Sequence, residues 1–422
     1  MHRSGEDYMA IHGEITPPPD KSISHRAFII GALAEGVTTI RNALESEDIK
    51  STRSVLSALG IDILKDGDLY RVTGSQFREP MKVIDAGNSG TTARLICGIL
   101  AGLDGIAMMT GDSSLVQRPM ARVIKPLELM GARFMARKGG YLPMAVKGGN
   151  LRGVFHPMEI ASAQVKSALL LAGLHAEGQT TVNEPSPSRD HTERMLGHFG
   201  ASLNLGPKSV TITGGQKLKA QDIVVPGDPS SAAFPVVWAA STTGSEIIVH
   251  DVCLNKTRTG FLTVLERMGA KIDKANVQES AGEPVGDLVI HGSELKGITI
   301  AGDEIPTLID EIPILVVAAV LAAGTTVITN ARELRVKETD RIAAMVQGLS
   351  RLGAEVEELD DGLIVKGSAR LTPGNISTFS DHRIAMSFSI LSKASGIDIH
   401  IDDRDCVAIS YPTFFTDMDK LR

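Results

Sequence analysis

The chain has only three cysteines in 422 residues: Cys97, Cys253 and Cys406. Their number is odd and no spacing pairs them. That argues against a disulfide framework and reads as reduced thiols in a cytoplasmic protein. The histidines are scattered, with neither HExxH nor His–Cys spacing, so no metal is expected. No Gly-x-Ser-x-Gly elbow is present. Long apolar runs are missing too. The most apolar stretch, Ile312 to Ala323, is too short to span a bilayer and starts beside Asp310 and Glu311, so it predicts a buried helix. The N-terminus, MHRSGEDYMA, lacks the apolar core of a signal peptide and the Arg/Ser-rich character of a transit peptide. A cytoplasmic location with no membrane partner is expected. Positive charge is in deficit, with 43 Lys and Arg against 50 Asp and Glu, a net −7. That balance argues against general nucleic-acid binding, and any basic site must be local.

What remains is an ordinary globular composition, 43% hydrophobic and 22% charged. At 422 residues, two domains are expected. Within that length one unit recurs six times. A helical apolar run ends in a small-residue glycine stop, and a β-type run follows. The stops are Gly36, Gly102, Gly178, Gly244, Gly324 and Gly396, between 66 residues apart (Gly36 to Gly102) and 80 apart (Gly244 to Gly324). Such a period is too long for a solenoid and suits a pseudo-symmetric α/β domain built from copies. In five units an amphipathic helix follows the strand and closes on Gly60, Gly131, Gly200, Gly269 or Gly353, leading into short alternating strands. Each unit therefore reads helix, strand, helix, strand, strand.

Six units over two domains gives three each. Thr16-Pro-Pro-Pro-Asp20 and Val225-Pro-Gly-Asp-Pro229 are rigid, non-helical crossover candidates. If both are crossovers, residues 21–226 form an inserted domain, and 1–20 with 227–422 form the other. The sixth unit lacks a glycine-capped second helix, so the N-terminal residues are expected to complete it.

Where each stop-bearing helix should start, polar residues cluster. The clusters are Lys21–Arg26, Asn88–Thr91, Ser162–Gln164, Asp228–Ser231, Asp310-Glu311 and Asp381–Arg383. A helix start exposes unpaired N–H groups and the positive end of the macrodipole, so it suits an anion. The bland reading is an ordinary cap. Against it, Lys21, Arg26 and Arg383 are cations placed where the dipole disfavours them. Asp85–Thr92 is a Gly-rich turn into a helix, neither GxGxxG nor a P-loop. Alone it is no more than a capped turn. Arg118 alone would be a surface arginine, and the charged run Arg332–Arg341 a solvated helix face. Cys97 shares a helix face with apolar residues and packs rather than attacks.

The segments PPDKSISHRA, DAGNSGTTARL, GDSSLVQRPM, SAQVKSALLLAGL, SRDHTERM, LIDEIPILVVAA, RELRVKETDRI and DHRIAMSF occur in an order that resembles the 5-enolpyruvylshikimate-3-phosphate (EPSP) synthase family. The resemblance covers nearly the whole chain. It implies an α/β fold, a two-domain inverse barrel of six βαβαββ units, three per domain, with the active site in the interdomain cleft. It implies transfer of the enolpyruvyl group of phosphoenolpyruvate to the 5-hydroxyl of shikimate 3-phosphate, by a cofactor-free monomer. By motif match, Lys21 touches both substrates. Ser22, Arg26, Ser162, Ala163, Gln164, Arg189, Asp310 and Lys337 hold shikimate 3-phosphate. Gly90, Arg118, Gln164, Arg341 and Arg383 hold phosphoenolpyruvate. Asp310 matches the carboxylate beside the hydroxyl and Glu338 the one beside the methylene, with Lys21 a third candidate for proton transfer.

One departure is Ile409, where the enterobacterial-type pattern has a lysine before the final Tyr/Phe-Pro. With Val165-Lys166 and Glu333, this is similar to the divergent bacterial branch. That branch includes glyphosate-tolerant members with Ala at the position of Gly90, so Gly90 implies at least partial sensitivity. Two rivals are the sister transferase acting on UDP-N-acetylglucosamine, which has Lys-Asn in place of Lys21-Ser22 and a loop cysteine near Arg118, and an inactive phosphometabolite-binding protein.

Overall fold

The computed structural model describes residues 10–368 and 370–421. The N-terminal reading, Ala10 apart, lies outside the described residues. The chain divides into two compact units. The inserted unit is Pro19–Val225 with Glu279–Glu283; the flanking unit is Met1–Pro18, Pro226–Gln278 and Pro284–Arg422.

The inserted unit carries helices α1 (Lys21–Leu33), α2 (Glu47–Ala58), α3 (Gly90–Gly102), α4 (Ala121–Leu129), α5 (Ala163–Gly173) and α6 (His191–His198). The flanking unit carries α7 (Pro229–Ala240), α8 (Gly260–Met268), α9 (Ile312–Leu321), α10 (Arg341–Arg351), α11 (His382–Ser395) and α12 (Phe414–Met418).

One sheet pattern recurs five times among the described residues. In the first repeat, Gly36–Arg41 lies between Asp222–Val224, parallel to it, and Leu69–Gly74, antiparallel, with Asp62–Asp66 outermost. Parallel neighbours need a crossover, and the inner helix supplies it in the repeats where both strands are local. The sixth repeat is only a parallel pair, Gly374–Ile376 with Ile399–Ile401.

The N-terminal strand corrects an expectation. His12–Ile15 pairs parallel with Glu246–Cys253, so it completes the fourth unit and not the sixth. The reason lies in the crossover. Asp222–Val224 is used by the inserted unit's first sheet, and the chain then runs through Pro226 straight into α7. No strand is left locally to flank Glu246–Cys253. The sixth unit instead ends in a 3₁₀ turn, Asp405–Ile409, and α12, which bury Tyr411, Phe414 and Met418. A second correction concerns Gly102. Five of the six glycine stops are left-handed, with φ from 67° to 108°, but α3 runs through Gly102 and ends on extended Leu103.

The inner helices α7, α9 and α11 form much of the flanking unit's core. In α9 every residue from Ile312 to Val320 is buried, as an all-round apolar helix must be. Each buried Ile, Leu or Val there contributes about 1.5–3 kcal/mol. In the inserted unit α3 lies close against α5. A Cβ on Gly98 would sit 2.2 Å from the carbonyl oxygen of Ala168, so only glycine permits this approach.

Candidate functional site

Each polar cluster sits at a helix start. Asp20, Ser89, Ser162, Asp228 and Asp381 are N-caps whose side chains accept from backbone N–H groups of the first turn. Glu311 is the N-cap of α9 without such a bond.

In the inserted unit, three of these starts are stitched together. Lys21 begins α1, and its Nζ lies 3.2 Å from Asp48 Oδ2 on α2. Arg26, 3% exposed, donates to Ser22 O (2.9 Å), Thr192 Oγ1 (2.7 Å) and Ser167 Oγ (2.8 Å). It thereby joins α1, α5 and α6. His25 Nδ1 pairs with Thr52 Oγ1 at 2.7 Å, and burial lowers its pKa to about 3, so the ring is neutral. Gln164 links α5 to α3: its Nε2 donates to Thr91 Oγ1 at 3.1 Å, and its Oε1 accepts from Arg94 Nη1 at 2.9 Å. Arg118 donates to Asn88 Oδ1 (2.9 Å) and Ser114 Oγ (3.1 Å). Gly90 lies between two guanidinium groups. A Cβ there would be 2.8 Å from Arg94 Nη1 and 3.6 Å from Arg118 Nη1. Gly90, Gln164 and Arg118 are thus brought together, with Ser162 and Ala163 at the same helix start as Gln164. Arg189 lies two residues before α6, next to its N-cap Asp190.

Sequence reasoning missed Arg94, the contact of Asn88 with Arg118 and the role of Lys166. Arg94 could have been found four residues after Gly90, on the same helix face. Lys166, 3% exposed, is held at 2.7 Å by both Glu184 and Glu193. Burial works against its charge, but the two carboxylates outweigh it and raise its pKa.

In the flanking unit, Arg341 is the hub. It begins α10, is 2% exposed, and its Nε lies 2.8 Å from Asp381 Oδ2. Its Nη2 lies 2.7 Å from Glu338 Oε2 and its Nη1 3.4 Å from Asp310 Oδ1. Burial opposes the guanidinium charge, yet Asp381, Glu338 and Asp310 overcome this and hold its pKa above the ordinary arginine value. Lys337 Nζ is 3.3 Å from Asp310 Oδ1, and Arg383 Nη1 donates to the carbonyl of Asp310 at 2.8 Å. Asp310, Lys337, Glu338, Arg341 and Arg383 therefore form one cluster. The run Arg332–Arg341 is not a helix face: a 3₁₀ turn, Arg332–Val336, precedes Lys337 and Glu338, and α10 starts only at Arg341.

This arrangement can bind multiply charged anions through Lys, Arg and helix starts, and it keeps carboxylates beside the cations for proton transfer. The chain matches the family model of EPSP synthase (3-phosphoshikimate 1-carboxyvinyltransferase) over residues 6–418. The chain belongs to the EPSP synthase family. A 3-phosphoshikimate 1-carboxyvinyltransferase of Geobacter metallireducens is 48% identical over 415 residues, 97% of each chain. One from a Synechococcus species is 51% identical over 419 residues, covering 97% of this chain and 94% of the relative. A solved EPSP synthase from Acinetobacter baumannii superposes with a TM-score of 0.87 at 41% identity, covering 97% of this chain and 96% of that one. The two-domain α/β fold of the EPSP synthases is therefore the fold of this chain. Among the described residues no group of three or more His, Cys, Asp or Glu is placed to hold a metal ion, and no helix is long and apolar enough to cross a membrane. The Cys97 thiol is buried and pushed up to about 12, which leaves it unreactive.

Proposed function

We propose that the protein transfers the carboxyvinyl group of phosphoenolpyruvate to the 5-hydroxyl of shikimate 3-phosphate and releases phosphate, a step of the shikimate pathway. Family membership supports this reading, and it favours neither the UDP-sugar transferase nor the inactive binder. The observation that carries the reading to residues is a pair of carboxylates, Asp310 and Glu338, held against one buried guanidinium, Arg341. A protein that only bound phosphometabolites would need the cations alone.

In the reaction the 5-hydroxyl oxygen bonds to C2 of phosphoenolpyruvate, while a proton reaches the methylene carbon and another leaves the hydroxyl. The tetrahedral adduct then breaks its C2–O bond to phosphate and loses a proton from the new methyl group. Asp310 serves the hydroxyl and Glu338 the methylene, with Lys21 as a further proton carrier touching both substrates. Ser22, Arg26, Ser162, Ala163, Gln164, Arg189 and Lys337 hold shikimate 3-phosphate. Gly90, Arg118, Gln164, Arg341 and Arg383 hold phosphoenolpyruvate. The protein acts as a cytoplasmic monomer.

Turnover in D₂O tests the chemistry. Addition followed by elimination places deuterium on the methylene carbon of the product. A product free of deuterium would exclude the tetrahedral route.

A further inference from the structure

Glu311 follows Asp310 in the chain, and the reaction gives it no part. Its side chain is 0% exposed. Taking a carboxylate out of water is costly unless partners compensate. An N-cap side chain ordinarily satisfies this by accepting from its own first turn, which Glu311 does not do. Its partners come from other segments. Ser230, in the first turn of α7, donates its hydroxyl to Glu311 Oε1. Arg258, itself 2% exposed, donates from Nη2 to Ser230 Oγ at 2.7 Å and to Asp228 Oδ1 at 3.0 Å. Arg383 Nη1 lies 3.5 Å from Glu311 Oε1. The same nitrogen donates to the Asp310 carbonyl at 2.8 Å. Glu311 Oε2 has no hydrogen-bond partner among the described residues. The buried carboxylate is thus turned from its own helix towards Ser230 and Arg383, and it ties the starts of α7, α9 and α11 together.

We infer that Glu311 is a positioning residue, which fixes the Arg383 guanidinium and, through it, the backbone of Asp310. The inference rests on the roles proposed above for Asp310 and Arg383. A different role for Glu311, tempering the local positive charge, predicts the opposite sign. Removing a buried negative charge would then strengthen anion binding and lower the KM for phosphoenolpyruvate. Loss of positioning raises that KM even though the cluster becomes more positive.

The test is steady-state kinetics of Glu311→Gln with each substrate varied, beside the wild type. The glutamine keeps the size and removes the charge. A misplaced binding group raises the KM for phosphoenolpyruvate about tenfold and lowers kcat by a similar factor, while the KM for shikimate 3-phosphate, which Asp310 helps to hold, rises by a smaller factor. A lowered KM for phosphoenolpyruvate, or constants equal to the wild type, would overturn the inference. Ser230→Ala retains the charge but removes the donor that aims it. It should move the same two constants in the same direction by a smaller factor, and it decides the matter if the first variant does not fold. Unchanged constants in folded Ser230→Ala would also count against positioning. A wild type inert towards both substrates would instead remove the proposed function, and the inference with it.

Discussion

Replacing Asp381 with asparagine should destabilise the flanking unit by about 3 kcal/mol while leaving its helix cap in place. Asp381 is 0% exposed and faces Arg341, 2% exposed, through contacts of 2.8 and 3.3 Å. Removing one partner of a buried pair costs about 3–5 kcal/mol, because the other charge stays buried. The lower end applies here. Glu338 at 2.7 Å and Asp310 at 3.4 Å remain beside Arg341, and Glu338 is 29% exposed. Asp381 also caps α11, accepting from the backbone N–H of Arg383 at 2.9 Å. Asparagine caps a helix about as well as aspartate, whereas alanine loses a further ~1 kcal/mol. The chain has a single tryptophan, Trp238, on α7 of the flanking unit, so its fluorescence during urea unfolding reports this unit. With m of about 2–3 kcal/mol/M, Asp381→Asn should lower the midpoint by about 1–1.5 M, and Asp381→Ala should lower it further. A full loss in the alanine variant with none in the asparagine variant would refute the charge argument and leave Asp381 as a cap only.

Asp310→Ala and Glu338→Ala should each lower turnover by roughly 10²–10⁴, the range for a lost general acid or base; near-normal rates would overturn their roles. Glyphosate should inhibit competitively with phosphoenolpyruvate, and no inhibition at millimolar concentration would contradict the reading of Gly90. Gly90→Ala should weaken that inhibition more than it weakens phosphoenolpyruvate binding, because its methyl would meet Arg94 Nη1 at 2.8 Å; inhibition constants equal to the wild type would count against it. His25 contributes a pH dependence. The unfolded chain takes up a proton near its ordinary 6.5, while the folded ring resists until about 3, so stability is full above the higher value and falls as pH drops towards the lower. The slope is at most about 1.4 kcal/mol per pH unit, and His25→Gln should remove it; identical slopes in urea titrations of the two proteins would show that His25 charges freely in the fold.

Local signals were legible in the chain, and long-range ones were not. Every inner helix starts in the polar cluster assigned to it, because caps and apolar runs are written within a few residues of one another. The all-apolar run at Ile312 proved to be the buried α9 for the same reason. Strand pairing was harder. Nothing local says that His12–Ile15 joins Glu246–Cys253, more than two hundred residues away, in place of the truncated sixth unit. Side-chain networks behave likewise. Arg258 finds Asp228 and Ser230 across 30 and 28 residues, and Glu311 finds Ser230 across 81. No periodicity announces such pairs. Arg332–Arg341 reads alone as a solvated helix face, and only the motif match drew Lys337, Glu338 and Arg341 from it into the site; Arg341 turns inwards to Asp381 and the helix begins only there.

The most direct test is phosphate release from phosphoenolpyruvate without added metal, run with shikimate 3-phosphate and separately with UDP-N-acetylglucosamine. Release with shikimate 3-phosphate alone is the predicted result. Release only with the nucleotide sugar, or with neither acceptor, would contradict the proposed function.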